Sequence, residues 1–412
     1  MKHIASNVLI YIKNNCISMF LVFSALLMCL VHAIPAAVWA DFSAINGDFQ
    51  NYNVVRRFLD GQIIYTDFAA YLGYGHLLIG SVLTFIFGVG DPTLSSSKMA
   101  FCFAAILAFA LWSYAVYWAV FHKYGKVIPL IATNIMLLLI LVDPAFFANA
   151  MSLTADLHQA MQGSLATGNS ARFLRELAPV IFVFMCVFLY WLKGRIKLIN
   201  QSESLSLGFV FGIPSGIIFY YSNDYGVSSV VSVTVIICLS ILFKKEKLFT
   251  KLNRFYSFAF ATLIAFVIFG FIITKGHFTK YLSATFGIGN FQAWYTNGLK
   301  SYYIWDMDLS FLTIVQAAVV VIYLVVFLSK KHDKENIIRY GVPLFFNMTA
   351  YAATNEYKLL SDGYLHEVSY TVLYLTLSSE TIHFVFGLFN RNNRFSPVIT
   401  GVVSVFVALS GI

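Results

Sequence analysis

The stretch GYGHLLIGSVLTFIFGVGD, residues Gly73–Asp91, decides how the chain is organised. Its apolar run, Leu77–Gly90, could enter a bilayer, but it is short and broken by Gly80 and Gly88. Apolar runs of ~10–14 residues are more often interfacial or re-entrant than spanning. If this run crosses, every later loop changes side. If it does not, the later loops keep the sides that the first helix assigns to them.

The surroundings are those of a membrane protein. Of 412 residues, 59% are hydrophobic and 11% charged, against about 25% charged in soluble domains. A mean hydropathy of +0.76 agrees. A soluble fold and a disordered chain are both excluded, since disordered segments are poor in apolar residues. Apolar runs lie at about 16–40, 98–121, 127–148, 173–192, 205–222, 226–243, 255–274, 310–329, 338–353, 367–389 and 397–412. The first is too long for a signal-peptide core and reads as an uncleaved helix. The net charge of +8 forms no continuous patch for nucleic acid, because the basic residues sit between apolar runs. Cys16, Cys29, Cys102, Cys186 and Cys238 lie inside apolar runs without CxxC spacing, which argues against zinc and disulfides.

Counting charges narrows the topology. If Leu77–Gly90 does not cross and the N-terminus is cytoplasmic, 18 of the 27 Lys and Arg residues fall inside, as the positive-inside rule requires. Crossing with the same N-terminus leaves most of them outside. Crossing with an external N-terminus scores as well as the first model, and the short, glycine-broken run favours the first. The expected fold is therefore all-α, a multi-pass transmembrane bundle of about eleven crossings with juxtamembrane helices in a large first external loop, 41–97. Residues 1–412 form a single integral membrane domain with no separate soluble domain. Within the loop, Tyr52, Val55, Phe58 and Leu59 recur at helical spacing and predict an interfacial helix.

The loop also carries motifs: Asn46-Gly47-Asp48, then Gly61, Tyr65, Asp67 and Phe68 spaced as G-x-x-x-Y-x-D-F, then Tyr74-Gly75 and Phe87-Gly88. In this order, after one helix and before many, they resemble the GT-C glycosyltransferases, and among them the protein mannosyltransferase and aminoarabinose transferase group. His76 stands where those enzymes usually have proline. Ser222–Gly226 and Asp362–His366 carry fainter echoes. The resemblance implies a sugar donor on a polyprenyl phosphate, an active site on the external face and a role in cell-envelope polysaccharide.

Asp48 is the expected catalytic base, because inverting transfer needs a carboxylate to take the acceptor's proton. The plainer role for an aspartate there is helix capping. Asp41, Asp156 and Asp224 are the secondary acidic candidates; Asp224 could equally cap the following helix. No Asp-x-Asp pair stands beside Asp156, and no cofactor is assigned: a divalent metal is compatible with the resemblance, but its ligands are unknown. Arg172, Arg175, Lys358 and His366 are the candidates for the lipid phosphate, since guanidinium groups bind such anions bidentately. The alternative for Arg175 is a pair with Glu176. Glu380 and His383, one turn apart in an apolar run, read as a buried pair holding helices together, or as a proton relay. Gly208, Gly212 and Gly216 read as close helix packing.

The function these expectations compose is a membrane glycosyltransferase. It would act in the inner membrane of a prokaryote, moving a hexosyl or pentosyl group from a polyprenyl phosphate to a glycan, lipid or protein acceptor. A multi-pass transporter or lipid-linked oligosaccharide flippase is the alternative from another class, and an oligosaccharide polymerase or ligase a further one. Transporters often show repeated halves with a midplane site, whereas no repeat is visible here and the acids crowd one face.

Overall fold

A computed structural model of the chain describes residues 2–38, 48–70, 72–141, 172–285, 287, 307–353 and 367–390. These residues form helices joined by short turns, with one isolated bridge between Ile64 and Phe68. In order, they are α1 (Lys2–Val38), α2 (Asp48–Leu59), α3 (Tyr74–Phe87), α4 (Leu94–Phe121) and α5 (Val127–Leu141). The short α6 (Arg172–Arg175) leads into α7 (Ala178–Lys193) and α8 (Lys197–Gln201). Then come α9 (Glu203–Ile218), α10 (Tyr225–Phe243), α11 (Leu248–Ile273), α12 (Met307–Ser329), α13 (334–353) and α14 (Glu367–Asn390).

Ten of the eleven expected apolar runs are helical over most of their described residues, and the last, 397–412, lies outside the described residues. Five segments are long and apolar enough to cross a membrane: α1, α4, α6 with α7, α10 and α11. Helices α3, α5, α9 and α12 are apolar but shorter. Five candidate crossings are thus established of the eleven expected.

Helix α4 is the centre. Twenty of its 28 residues are buried, and many are alanine, whose small side chains let neighbouring backbones approach where no hydrophobic force drives helices together in lipid. Its start is fixed by a capping box: Thr93 accepts from Ser96 N–H at 3.1 Å, and Thr93 N–H donates to Ser96 Oγ at 2.9 Å. Both ends of α3 touch one short stretch of α4. His76 stacks on Phe101 at 4.9 Å, and Phe87 meets Phe103 edge-on at 5.6 Å. Helix α3 therefore packs against the first part of α4, with Gly80 against Phe101 and Gly88 against Asp91 and Ser96. At 14 residues it is about 21 Å long, short of a ~30 Å hydrocarbon core. A helix is present over the expected 52–59 stretch, as α2, which begins at Asp48.

The basic loops converge at one end. Lys123 Nζ lies 2.7 Å from Glu335, Lys334 sits over the Tyr190 ring at 5.7 Å, and Lys244 and Arg254 both meet Glu203 and Glu246. Helix α14 ends there too, with His383 beside Tyr124 at 6.1 Å. Helix α1 runs parallel to α5, since Asn134 donates to Leu21 O and His32 bonds Leu141 O. Its N-terminal half therefore points toward the same end as Val127, the first residue of α5.

Two helices widen into a π turn, α9 at Gly208–Gly212 and α13 at Ile337–Gly341. Each precedes a proline, Pro214 or Pro343, whose ring would clash with the carbonyl four residues back. That carbonyl lies within the π turn in both cases, and the extra residue relieves the clash. Gly208, Gly212 and Gly216 do pack closely: a Cβ on any of them would fall under 3 Å from Ser257, Phe258, Ala261 or Thr262 of α11.

Candidate functional site

At the end away from the basic loops, three stretches remote in sequence meet. The first is the motif after α2. Gly61 ends that helix with a φ of +83°, which glycine adopts without strain. Tyr65, also at positive φ, is buried, donates to Ala70 O and packs edge-on to Tyr281 at 4.9 Å. Burial pushes the Tyr281 phenol up to about 12 and raises Tyr65 as well, so both remain neutral donors. Asp67 uses a carboxylate oxygen to accept from Ile63 N–H at 2.7 Å. Arg57 clasps the turn, donating to Gln62 at 2.6 Å and to Asp67 O at 2.5 Å, with its guanidinium over Phe68. The G-x-x-x-Y-x-D-F residues thus build a turn, and Asp67 is occupied in closing it.

The second stretch is the start of α3, docked on the third, the Tyr220–Asp224 turn before α10. Tyr74 N–H donates to Tyr220 O at 2.8 Å, and Gly75 N–H to Tyr221 O at 3.2 Å. The approach demands glycine twice. A Cβ on Gly73, whose φ is +110°, would lie 2.3 Å from Tyr221 O, and one on Gly75 2.0 Å from the Tyr221 ring. Tyr221 in turn donates its hydroxyl to Leu174 O at 2.7 Å, drawing in α6.

The charged group lies beside this junction. Arg175 Nη2 is 2.8 Å from Asp224 Oδ2 and 3.8 Å from Glu176, with all three side chains at most about one-fifth exposed. The other oxygen of Asp224 accepts from Tyr225 N–H at 2.9 Å. Asp224 therefore caps α10, the plainer of its two sequence readings, and at the same time pairs with Arg175. Arg175, expected to face a lipid phosphate, is engaged by carboxylates. Its alternative partner Glu176 is close, but Asp224 is closer, and nothing in the spacing of residues 175 and 224 foretold that.

Asp48 is the first residue of α2, and its side chain lies outside the described residues. So does that of Arg172, the first residue of α6. Asp41, Asp156, Lys358 and His366 fall outside the described residues altogether. Among the described residues no three His, Cys, Asp or Glu side chains cluster closely enough to hold a metal.

At the basic end, Glu380 has a different partner from the one expected. It pairs with Arg339 of α13, through two bonds of 2.6 and 2.5 Å, and accepts from the Tyr323 hydroxyl of α12. His383 instead rests among the rings of Phe121 and Tyr124. The periodicity of α14 showed Glu380 and His383 on one face, but it could not show that the π turn of α13 presents an arginine there.

The chain matches no family model and no curated protein. Among solved structures it is similar to an oligosaccharyltransferase of Archaeoglobus fulgidus, solved in complex with zinc and sulfate. The identity is 13% and the TM-score 0.35, over 93% of this chain and 53% of that one. This chain thus spans about half the length of that protein, and a likeness of this degree carries no argument about activity.

Proposed function

We propose that the chain is a membrane glycosyltransferase of GT-C type, moving a sugar from a polyprenyl phosphate to an acceptor hydroxyl. The observation that carries this reading is the junction of Tyr74-Gly75 with Tyr220–Asp224. The loop motif that resembles the family is built into a rigid turn and pinned beside the Arg175–Asp224 pair. In this reading Asp48, heading α2, accepts the proton of the acceptor hydroxyl. The new bond forms at the anomeric carbon while its bond to the phosphate oxygen breaks. The leaving polyprenyl phosphate takes up the charge, and cations neutralise it. Arg172, Lys358 and His366 are the groups for that task. Arg175 is already engaged by Asp224 and Glu176, so its part in this reading is to fix the turn. Asp41 and Asp156 remain the alternatives to Asp48.

Sidedness belongs to the same proposal. The convergence of the basic loops at one end, with the N-terminal half of α1 directed toward it, favours that end as cytoplasmic and this site as external. A proton relay through Glu380 would need a carboxylate free to exchange protons, whereas both its oxygens are engaged by Arg339.

The test is direct. Purified protein in lipid nanodiscs is incubated with polyprenyl-phosphate hexoses and pentoses, and loss of the lipid donor is followed. Consumption of one donor is expected. A folded preparation that consumes none of them, with glycan, lipid and peptide acceptors supplied, removes the enzyme reading. Cysteines replacing Lys13 and Lys123 should both resist a membrane-impermeant reagent in intact cells, and labelling of either from outside overturns the sidedness.

A further inference from the structure

One face of α7 is ordered from apolar to aromatic to cationic. Phe184, Val187, Phe188 and Trp191 recur at helical spacing, and each is 39–58% exposed. No described element covers them, which suits a surface turned to lipid. At the end of the stripe Tyr190 and Trp191 are also exposed, and three cations gather on their rings. Lys193 Nζ lies 5.1 Å from the centroid of Tyr190, Lys334 Nζ 5.7 Å from the same ring, and the Arg195 guanidinium 4.0 Å from Trp191. Lys334 comes from α13, so the patch bridges two helices.

These cations have no acidic partner among the described residues. Among the described residues, Lys193, Arg195 and Lys334 make no ion pair, while the acids of this end are committed elsewhere. Glu335 holds Lys123, Glu203 and Glu246 hold Lys244 and Arg254, and Asp333 accepts from Asn336 N–H. Stacking on a ring fixes the place of an ammonium or guanidinium through the ring's quadrupole and leaves its N–H donors unused. A charge-dense oxyanion would complete the arrangement, and the stripe above it would take acyl chains.

We propose that this face binds an anionic phospholipid, chains along Phe184–Trp191 and headgroup on Lys193, Arg195 and Lys334, with preference for two phosphates over one. Three cations on two rings match two negative charges better than one. The site is independent of any chemistry at the other end of the bundle.

The full chain, purified in neutral detergent, is titrated with cardiolipin, phosphatidylglycerol or phosphatidylcholine, and bound lipid is counted by native mass spectrometry. Cardiolipin should bind about 10-fold tighter than phosphatidylglycerol, and phosphatidylcholine weakest. Each basic residue near an anionic headgroup contributes roughly fivefold. Replacing all three, Lys193→Gln with Arg195→Gln and Lys334→Gln, should therefore weaken cardiolipin about 100-fold. Trp191→Leu keeps every charge and should lose about threefold. Arg195→Lys should retain most of the binding, and size exclusion verifies that each variant is folded. The comparison set is Lys245→Gln with Lys247→Gln and Lys331→Gln, which removes the same charge from the same end away from the rings and should change binding less than twofold. An equal loss in that set means diffuse surface attraction and overturns the site. Equal binding of phosphatidylcholine also overturns it, as does displacement of cardiolipin by an equal concentration of inorganic pyrophosphate.

Discussion

The two ion groups at opposite ends of the bundle are built on different principles. Arg339 and Glu380 are matched one to one, each guanidinium amine on its own carboxylate oxygen, with Tyr323 donating as well. Arg175 instead serves two carboxylates, Asp224 at 2.8 Å and Glu176 at 3.8 Å. The first is closed, with its charges balanced and nothing left to offer a ligand. The second is shared: Arg175 spans two carboxylates beside a junction of three segments, and Asp224 divides its oxygens between Arg175 and the start of α10. One end is a matched pair, and the other ties several elements together.

The sharpest break of this contrast should come from Asp48→Asn. Turnover falls by about 10²–10⁴ if the carboxylate takes a proton, while expression holds because Asn caps helices about as well as Asp. Near-normal turnover would move the base to Asp41 or Asp156. Next in size is the clamp. Arg339→Ala leaves Glu380 unpaired, and breaking a buried pair costs roughly 3–5 kcal/mol, less here because Glu380 is about one-third exposed. Thermal unfolding in detergent should fall clearly, and adding Glu380→Leu should recover part of the loss. A single variant as stable as the parent would show that the pair holds nothing together.

Gly75→Ala comes third. Its methyl must displace the Tyr221 ring, an overpacking cost of about 1–3 kcal/mol, and Tyr221→Ala in the same chain should relieve most of it. The smallest effect belongs to pH. Lys244, by hydrogen bonding to Glu246, and then the charge of Arg254 hold the Glu246 carboxyl below its ordinary 4.5. A lowered carboxyl stabilises the fold above its unfolded value, and this is lost as pH falls through the folded one. Glu246→Gln should therefore flatten a small drop in melting temperature that begins below about pH 4.5. An unchanged acid limb would assign that drop to other groups.

The helices were legible because apolar runs of this length have few other structures open to them, and α2 was legible as a helix from its period. The motif was legible as a turn but its construction was not: nothing in the spacing shows that Asp67 accepts from Ile63 N–H or that Arg57 clasps the turn from α2. Arg175 with Asp224, and Arg339 with Glu380, were not legible. Each pair is separated by about forty to fifty positions, and local periodicity carries no information about which helix faces which. The π turns were hidden for a related reason. Pro214 and Pro343 announce a disturbance, but only the packed neighbours decide whether a helix breaks, kinks or widens.

The length of α4 has a consequence of its own. Its 28 residues extend about 42 Å, roughly 12 Å more than a typical hydrocarbon core. Helix α3 packs on the first ten residues of α4, at Phe101 and Phe103. If the surplus falls at that end, α3 sits at the membrane boundary, and a thicker membrane would bring acyl chains up to it while a thinner one would leave it further in water.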